Sequence, residues 1–258
     1  MMKPSRVIVL TILLGLACIL SSCTQDPLTP AQRAWLTQKG TIQVGVFDNY
    51  PTFGFLNAAG QPAGLSIDFW NLIAAKLNFK VQFHPAIFDN QLQGLENGQF
   101  DSLAGIFPLP VRGAKFDFSA LFYLIPTSIY VAPDQSGVKT LADLKGLKVG
   151  VVESDSSQDL AEEAHLEPVL FSTYLETVMA LADGKVQAII LDSPVVHYFV
   201  EKNGLQDKIH RVESPVARSS MILPVKHGNA MLLGILNRGL SLITQEERQK
   251  IEKKWSGE

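Results

Sequence analysis

Short apolar runs and stretches of helical spacing alternate along this chain, and the alternation occurs twice. Residues 41–46 (TIQVGV) alternate as a half-buried strand does and run into the loop Phe47-Asp48-Asn49-Tyr50-Pro51 at the strand's C-terminal end. A short helix is predicted before it at 31–39, and a hairpin after it at 53–56 and 60–61. Residues 66–77 carry Ile67, Trp70, Ile73, Ala74 and Leu77 at helical spacing, which predicts an amphipathic helix. A strand at 80–83, a short helix at 90–97 and a strand at 100–105 complete a β-α-β-α-β order. That order predicts an α/β lobe with a largely parallel sheet.

The pattern then restarts. A short helix at 141–144 precedes a buried strand at 147–152 (LKVGVV), and a helix at 156–164 starts from a Ser/Asp-rich cap. A strand at 168–171, a helix at 174–182, a strand at 186–191 (VQAIIL) and a helix at 193–201 follow. One more strand at 220–225 leads to two final helices, 231–243 and 244–255, with Thr244 as N-cap and Glu247 in capping-box position. No low-complexity linker separates the two units, and strands at 127–131 and 220–225 bracket the second. This predicts an inserted lobe joined by two crossing segments: a two-lobed α/β clamshell, with lobe 1 at 31–128 plus 221–258 and lobe 2 at 129–220. Ligands of open α/β sheets bind in the crevice at the strands' C-terminal ends.

The N-terminus changes the setting. Residues 1–6 carry two cations and no anion, and 7–20 form an apolar run too short for a comfortable transmembrane helix but right for a secretory signal. Residues 1–22 are therefore expected to be a signal peptide. It ends in Leu20-Ser21-Ser22-Cys23, which has the look of a lipobox and makes Cys23 the expected lipidated N-terminus, with 23–30 as a tether. The expectation is an exported protein anchored by lipid and facing the periplasm or cell exterior. Cys18, the other cysteine, falls in the removed segment, so no disulfide is expected and stability must come from a core. Loss of the signal moves the formal net charge from −3 to about −5. With no basic run, nucleic acid is not an expected partner. The five histidines (His84, His165, His197, His210, His227) are scattered without metal-ligand spacing, and no P-loop, Gly-x-Ser-x-Gly or dinucleotide fingerprint occurs. No metal or cofactor is expected.

One arginine, Arg112, stands at the centre of GQFDSLAGIFPLPVRGAKFDFSALFYLIPTSIY (98–130), with Asp101, Lys115 and Asp117 as the nearest charges in sequence. A guanidinium is a permanent cation whose planar fork suits carboxylates and phosphates. Such an apolar setting favours a cleft, although an Arg in the first turn of a surface helix opened by Pro110 also fits the sequence.

These segments resemble the family 3 extracellular solute-binding proteins, the type II periplasmic-binding fold used by polar amino-acid importers, over roughly 31–255. The resemblance rests on Asn49-Tyr50-Pro51-Thr52-Phe53, Gly64-Leu65-Ser66-Ile67-Asp68, Arg112 with Phe118-Ser119, the segment LADLKGLKVGV (141–151), and Gly184-Lys185-Val186-Gln187-Ala188 leading to Asp192-Ser193-Pro194. It implies that Arg112 takes a ligand α-carboxylate and Asp192, from the other lobe, the α-amino group. Asp192 also fits a plain N-cap role. Ser156 and its N–H, at a helix N-terminus, would add donors to an anion, and Tyr50 and Phe53 an aromatic wall. Where the pattern expects hydroxyls just before the arginine, this chain has Phe107-Pro108-Leu109-Pro110, and Val111 replaces an acidic residue. Phe107 would thus line a more apolar cleft with fewer donors. The implied function is a monomeric solute receptor that closes on a small, carboxylate-bearing metabolite by hinge motion and delivers it to an ABC permease complex, without catalysis. Two alternatives stand beside it. One is a sensing module for a membrane kinase or cyclase. The other is a dehydratase acting on prephenate-like acids, for which Glu153 or Asp155 would be the candidate acid.

Overall fold

The computed structural model describes residues 26–135 and 137–256, so the expected signal peptide, Cys23 and the start of the tether lie outside the described residues. The first elements are α1 (Pro30–Lys39), β1 (Thr41–Phe47), the short strands β2 (Asn49–Tyr50), β3 (Gly54–Leu56) and β4 (Pro62–Ala63), and α2 (Leu65–Leu77). Then come β5 (Lys80–Ala86), α3 (Phe88–Asn97), β6 (Ser102–Leu103), a 3-10 turn at Pro110–Arg112, β7 (Phe116–Phe118) and β8 (Tyr123–Val131). After a 3-10 turn at Leu141–Leu144 follow β9 (Val149–Val152), α4 (Ser156–Glu163), β10 (Val169–Phe171), α5 (Tyr174–Ala182), β11 (Ala188–Asp192) and α6 (Ser193–Asn203). The chain ends with β12 (His210–Arg211), β13 (Ala217–Met221), β14 (Pro224–Lys226), α7 (Ala230–Ser241) and α8 (Gln245–Ser256).

Two mixed sheets form two α/β lobes. The first has the order β5-β1-β6-β14-β7, parallel through β6 and antiparallel beyond it. In the second, β10, β9 and β11 run parallel and β8 pairs antiparallel with β11, while β12 and β13 lie along its other side. Ile42, Val44 and Val46 of β1 are buried in one core with Phe69, Trp70 and Ile73 of α2, which matches the expected strand and amphipathic helix. The predicted cap of the last helix is also present: Thr244 N donates to Glu247 Oε2 (2.8 Å) and Glu247 N to Thr244 Oγ1 (3.2 Å).

The crossing segments differ from expectation. The run expected as one strand at 220–225 is split, because β13 ends at Met221 in the second sheet and β14 begins at Pro224 in the first. Ile222 bridges to Ile106, exchanging backbone bonds of 3.0 and 3.1 Å, and Leu223 N donates to Ser119 Oγ (2.8 Å). Ser119 N returns a bond to the Leu223 carbonyl (3.0 Å), so the two crossings are bonded to each other. The other crossing strand begins at Tyr123 rather than 127, and the expected boundary at 128/129 falls inside it. Pro126 does not stop β8 because β11 pairs only with Thr127–Val131; at Pro126 the neighbour is β13 alone, leaving one side that needs no N–H.

The helix α8 packs against α2 and α6. Trp255 Nε1 and Lys254 Nζ both donate to Asp68 Oδ2 (2.7 Å each), and Phe55 of β3 lies between Trp255 (5.8 Å between ring centroids) and Tyr198 of α6 (5.6 Å). No helix among the described residues is long and apolar enough to cross a membrane.

Gly64 fixes the loop that will carry the site. Its φ is +141°, and a Cβ there would lie 2.2 Å from the Phe53 carbonyl oxygen. Gly64→Ala is expected to lower the unfolding free energy by at least about 2 kcal/mol. Gly60→Ala, at φ +70° with nothing within 4 Å, is expected to cost about 1–2 kcal/mol. Urea denaturation of both variants checks the order; equal costs would show that the contact with Phe53 does not constrain the loop.

Candidate functional site

An unbroken apolar strand delivers an aspartate to the crevice. All five positions of β11 are buried, and Asp192, its last residue, is 3% exposed. Asp192 stands at the N-cap of α6 but makes no side-chain cap bond. Its carboxylate instead accepts from Thr127 Oγ1 (2.7 Å), which the β8–β11 register places opposite it, and from Tyr50 Oη (2.5 Å). Tyr50 belongs to β2, at the C-terminal end of β1, so this bond joins the two lobes. Burial pushes the Asp192 carboxyl up from 3.8 to about 6, with the charge of Asp155 adding to the effect and the two hydroxyl bonds opposing it. Burial and the neighbouring carboxylates push the Tyr50 and Tyr174 phenols well above their ordinary range, so both act as neutral donors.

A second tyrosine–aspartate pair lies beside the first. Asp155 is the N-cap of α4, with Oδ1 accepting from Ser157 N (2.9 Å) and Ser157 Oγ (2.7 Å). Its Oδ2 accepts from Tyr174 Oη (2.9 Å), and the Tyr174 ring stacks on Tyr50 with centroids 5.5 Å apart. The helix N-terminus that the sequence offered to a ligand anion is therefore already capped by a carboxylate of the chain. Ser156 is the first residue of α4, directly after that cap. Glu153, the other candidate acid of the enzymatic alternative, is exposed.

On the first lobe, the 3-10 turn at Pro110–Arg112 holds the arginine. Arg112 Nη1 donates to the Phe107 carbonyl (2.9 Å), and its guanidinium lies 5.1 Å from the centroid of the Phe88 ring. Phe107 thus serves Arg112 through its backbone, while its ring packs partly buried on the main core. Burial lowers the pKa of Arg112, and among the described residues no carboxylate pairs with it. From Phe88 the rings continue to Phe47 (5.7 Å) and on to Tyr50 (5.9 Å), so an aromatic run extends from Arg112 to the Tyr50–Asp192 bond. Phe53 is fully buried behind Tyr50, 4.8 Å between centroids, and supports that ring from the core.

Sequence reasoning named Arg112, Asp192, Ser156, Tyr50, Phe53 and Phe107; the structure brings Tyr50, Phe53 and Asp192 into one cluster linked by rings to Arg112, with Phe107 on Arg112 through its carbonyl and Ser156 in the first turn of α4. It did not find Thr127, Tyr174, Phe47 or Phe88, and it considered Asp155 only as an acid. Tyr174 had a signal, since the capping box of Thr173 and Glu176 fixes the start of α5 and puts Tyr174 in its first turn. Among the described residues no three His, Cys, Asp or Glu side chains converge as metal ligands. The arrangement suits recognition of paired charges: a guanidinium fork at one end of an aromatic run and the buried Asp192 carboxylate, with the half-buried Asp155 beside it, at the other.

Residues 42–258 match the family model described as bacterial extracellular solute-binding proteins, family 3. The ABC transporter arginine-binding protein 1 of Escherichia coli (strain K12) is 26% identical over 220 residues, covering 83% of this chain and 90% of the relative. The L-cystine-binding protein TcyJ of the same organism is 25% identical over 226 residues, with 85% and 84% covered. A solved histidine kinase sensor domain with similarity to periplasmic binding proteins is 25% identical with a TM-score of 0.74, covering 84% of this chain and 96% of its own.

The raised carboxyl sets a pH dependence. Between about pH 4 and pH 6 the folded protein holds a proton on Asp192 that the unfolded chain has lost, so stability falls as pH rises through that window. Above it, the gap between 3.8 and about 6 corresponds to roughly 3 kcal/mol. Asp192→Asn, which keeps partners for both hydroxyls, is expected to gain about 1–3 kcal/mol at pH 8 and to flatten this part of the profile. Thermal unfolding from pH 4 to 8 checks it; a variant less stable at pH 8 with the native profile would contradict the assignment.

Proposed function

The chain belongs to the bacterial extracellular solute-binding proteins, family 3, and on that premise we propose that it is a lipid-anchored receptor for a small amino-acid-like carboxylate. The solute's carboxylate meets the guanidinium of Arg112, and its ammonium replaces the Tyr50 hydroxyl at Asp192. Tyr50 forms the aromatic wall, backed by Phe53, and Phe107 holds the arginine. The observation that carries this reading is the bond from Tyr50 to Asp192, because it puts a buried carboxylate of one lobe against a side chain of the other. A ligand that takes over this bond holds the lobes together, and closure without chemistry is enough to signal occupancy.

The lobes divide at the crossings 119–122 and 222–223, where few backbone bonds must change for a hinge to move. Anchoring through Cys23 keeps the receptor at the membrane, monomeric, where it delivers its solute to an ABC permease complex. The names of the arginine- and cystine-binding relatives support an amino-acid cargo. The likeness to a kinase sensor domain supports a second reading, in which the same closure is read by a membrane signalling partner. Stimulation of a permease–ATPase complex by the loaded protein separates the two.

Calorimetric titration of the full chain in detergent against α-amino acids tests the clamp. Arg112→Ala should raise the Kd of the best ligand at least about 30-fold, as expected when one partner of a desolvated charge pair is removed. A Kd unchanged within about twofold would refute the role of Arg112.

A further inference from the structure

Resting on that clamp, we infer that the β2–β3 hairpin is a latch that holds the second lobe to the first, and that a solute must displace it to enter. The two strands pair Asn49 with Phe55 and Tyr50 with Gly54, so one short hairpin carries the rings of Tyr50 and Phe55. Both rings reach the same helix of the other lobe. Tyr50 Oη donates to Asp192 Oδ2 (2.5 Å) at the N-cap of α6, and Phe55 meets Tyr198, in the second turn of that helix, with centroids 5.6 Å apart. Tyr174 of α5 adds a third contact by stacking on Tyr50 at 5.5 Å.

The hairpin is not free to let go by itself. Leu65 N donates to the Thr52 carbonyl (2.7 Å) and Ser66 N to the Phe53 carbonyl (3.1 Å), which fastens its turn to the first residues of α2. On the inner side Phe53 and Phe47 pack on the Tyr50 ring, at 4.8 and 5.9 Å. A hairpin held in this way moves with the first lobe, so freeing Asp192 Oδ2 means parting the lobes. Solute and hydroxyl then compete for one atom. Asp192 Oδ1 accepts from Thr127 within the second lobe (2.7 Å), which leaves Oδ2 as the oxygen exchanged between Tyr50 and an incoming ammonium. The exchange favours the solute, because an ammonium–carboxylate bond is charge-assisted from both sides and the Tyr50 phenol stays neutral. The latch still weakens apparent affinity, in proportion to the fraction of molecules that are open at any moment. It therefore sets the solute concentration at which the receptor fills.

Spin labels attached through keto side chains at Gln93 and Glu163, exposed positions of α3 in the first lobe and α4 in the second, report lobe separation in the full chain in detergent. The free native protein should give one short, narrow distance distribution that the best-binding α-amino acid barely changes. Tyr50→Phe, which keeps the ring and removes the hydroxyl, should broaden the distribution toward longer distances, and the solute should restore it. At pH 8, above the Asp192 pKa of about 6, the same variant should bind that amino acid at least about fivefold tighter than the native chain. Tyr174→Ala leaves the clamp residues in place, should open the free protein in the same direction, and stands in if the first variant folds poorly. A native distribution that is already broad, variants that keep the native distribution, or an affinity unchanged or weakened by Tyr50→Phe would overturn the latch and leave the clamp intact. Failure of every α-amino acid to bind would overturn the clamp and, with it, the competition at Asp192.

Discussion

A carboxylate removed from water must be given other hydrogen bonds or lose its charge. At Asp192 two hydroxyls perform this task, and they come from different parts of the chain. Thr127 supplies its bond through the register of β8 against β11, so it is built into the second lobe. Tyr50 supplies the other from the first lobe, at the end of β1. The position of one lobe against the other therefore bears on the solvation of this carboxylate. Burial still raises its pKa to about 6, so the two bonds offset the cost only in part.

The rest of the architecture serves to hold these partners in register. The parallel strands β1 and β11 each bring a site residue to the C-terminal edge of a sheet, where open α/β folds leave a crevice. Gly64 lets the backbone pass close to Phe53, and Phe53 in turn backs Tyr50. The crossings bonded through Ser119, Leu223, Ile106 and Ile222 are short, and each changes sheets within a few residues. The helix α8 contacts α2 of one lobe and α6 of the other, and Phe55, between Tyr198 of α6 and Trp255 of α8, ties the same elements together.

Much of this was legible in the sequence, for local reasons. Runs such as VQAIIL and LKVGVV read as buried strands by their length and β-branched content, although β11 and β9 begin two residues later, at Ala188 and Val149. The spacing of Ile67, Trp70, Ile73 and Leu77 reads as an amphipathic helix. The sheet change at 222–223 was not legible, because an apolar run carries no mark of which sheet it pairs with. The early start of β8 was not legible either: a proline lacks the N–H of a ladder bond, but at Pro126 β8 has one neighbour, so the strand runs through it. Arg112 stood out as a lone cation in an apolar stretch and Asp192 through a motif resemblance, whereas Asp155 was considered only as a candidate acid. Its partner Tyr174 comes from another helix of the same lobe and the ring stacked on that partner, Tyr50, from the other lobe, and no local pattern announces such a contact.

The central claim is that a solute's ammonium takes the place of the Tyr50 hydroxyl at Asp192 while its carboxylate reaches Arg112. A crystal structure of the protein with its tightest-binding amino acid tests this most directly. The account predicts ligand nitrogen within hydrogen-bond distance of Asp192 and ligand carboxylate oxygens on the Arg112 fork, with the Tyr50 ring against the solute. A complex in which Asp192 still holds Tyr50 and Thr127 alone, with the solute seated elsewhere, would contradict it.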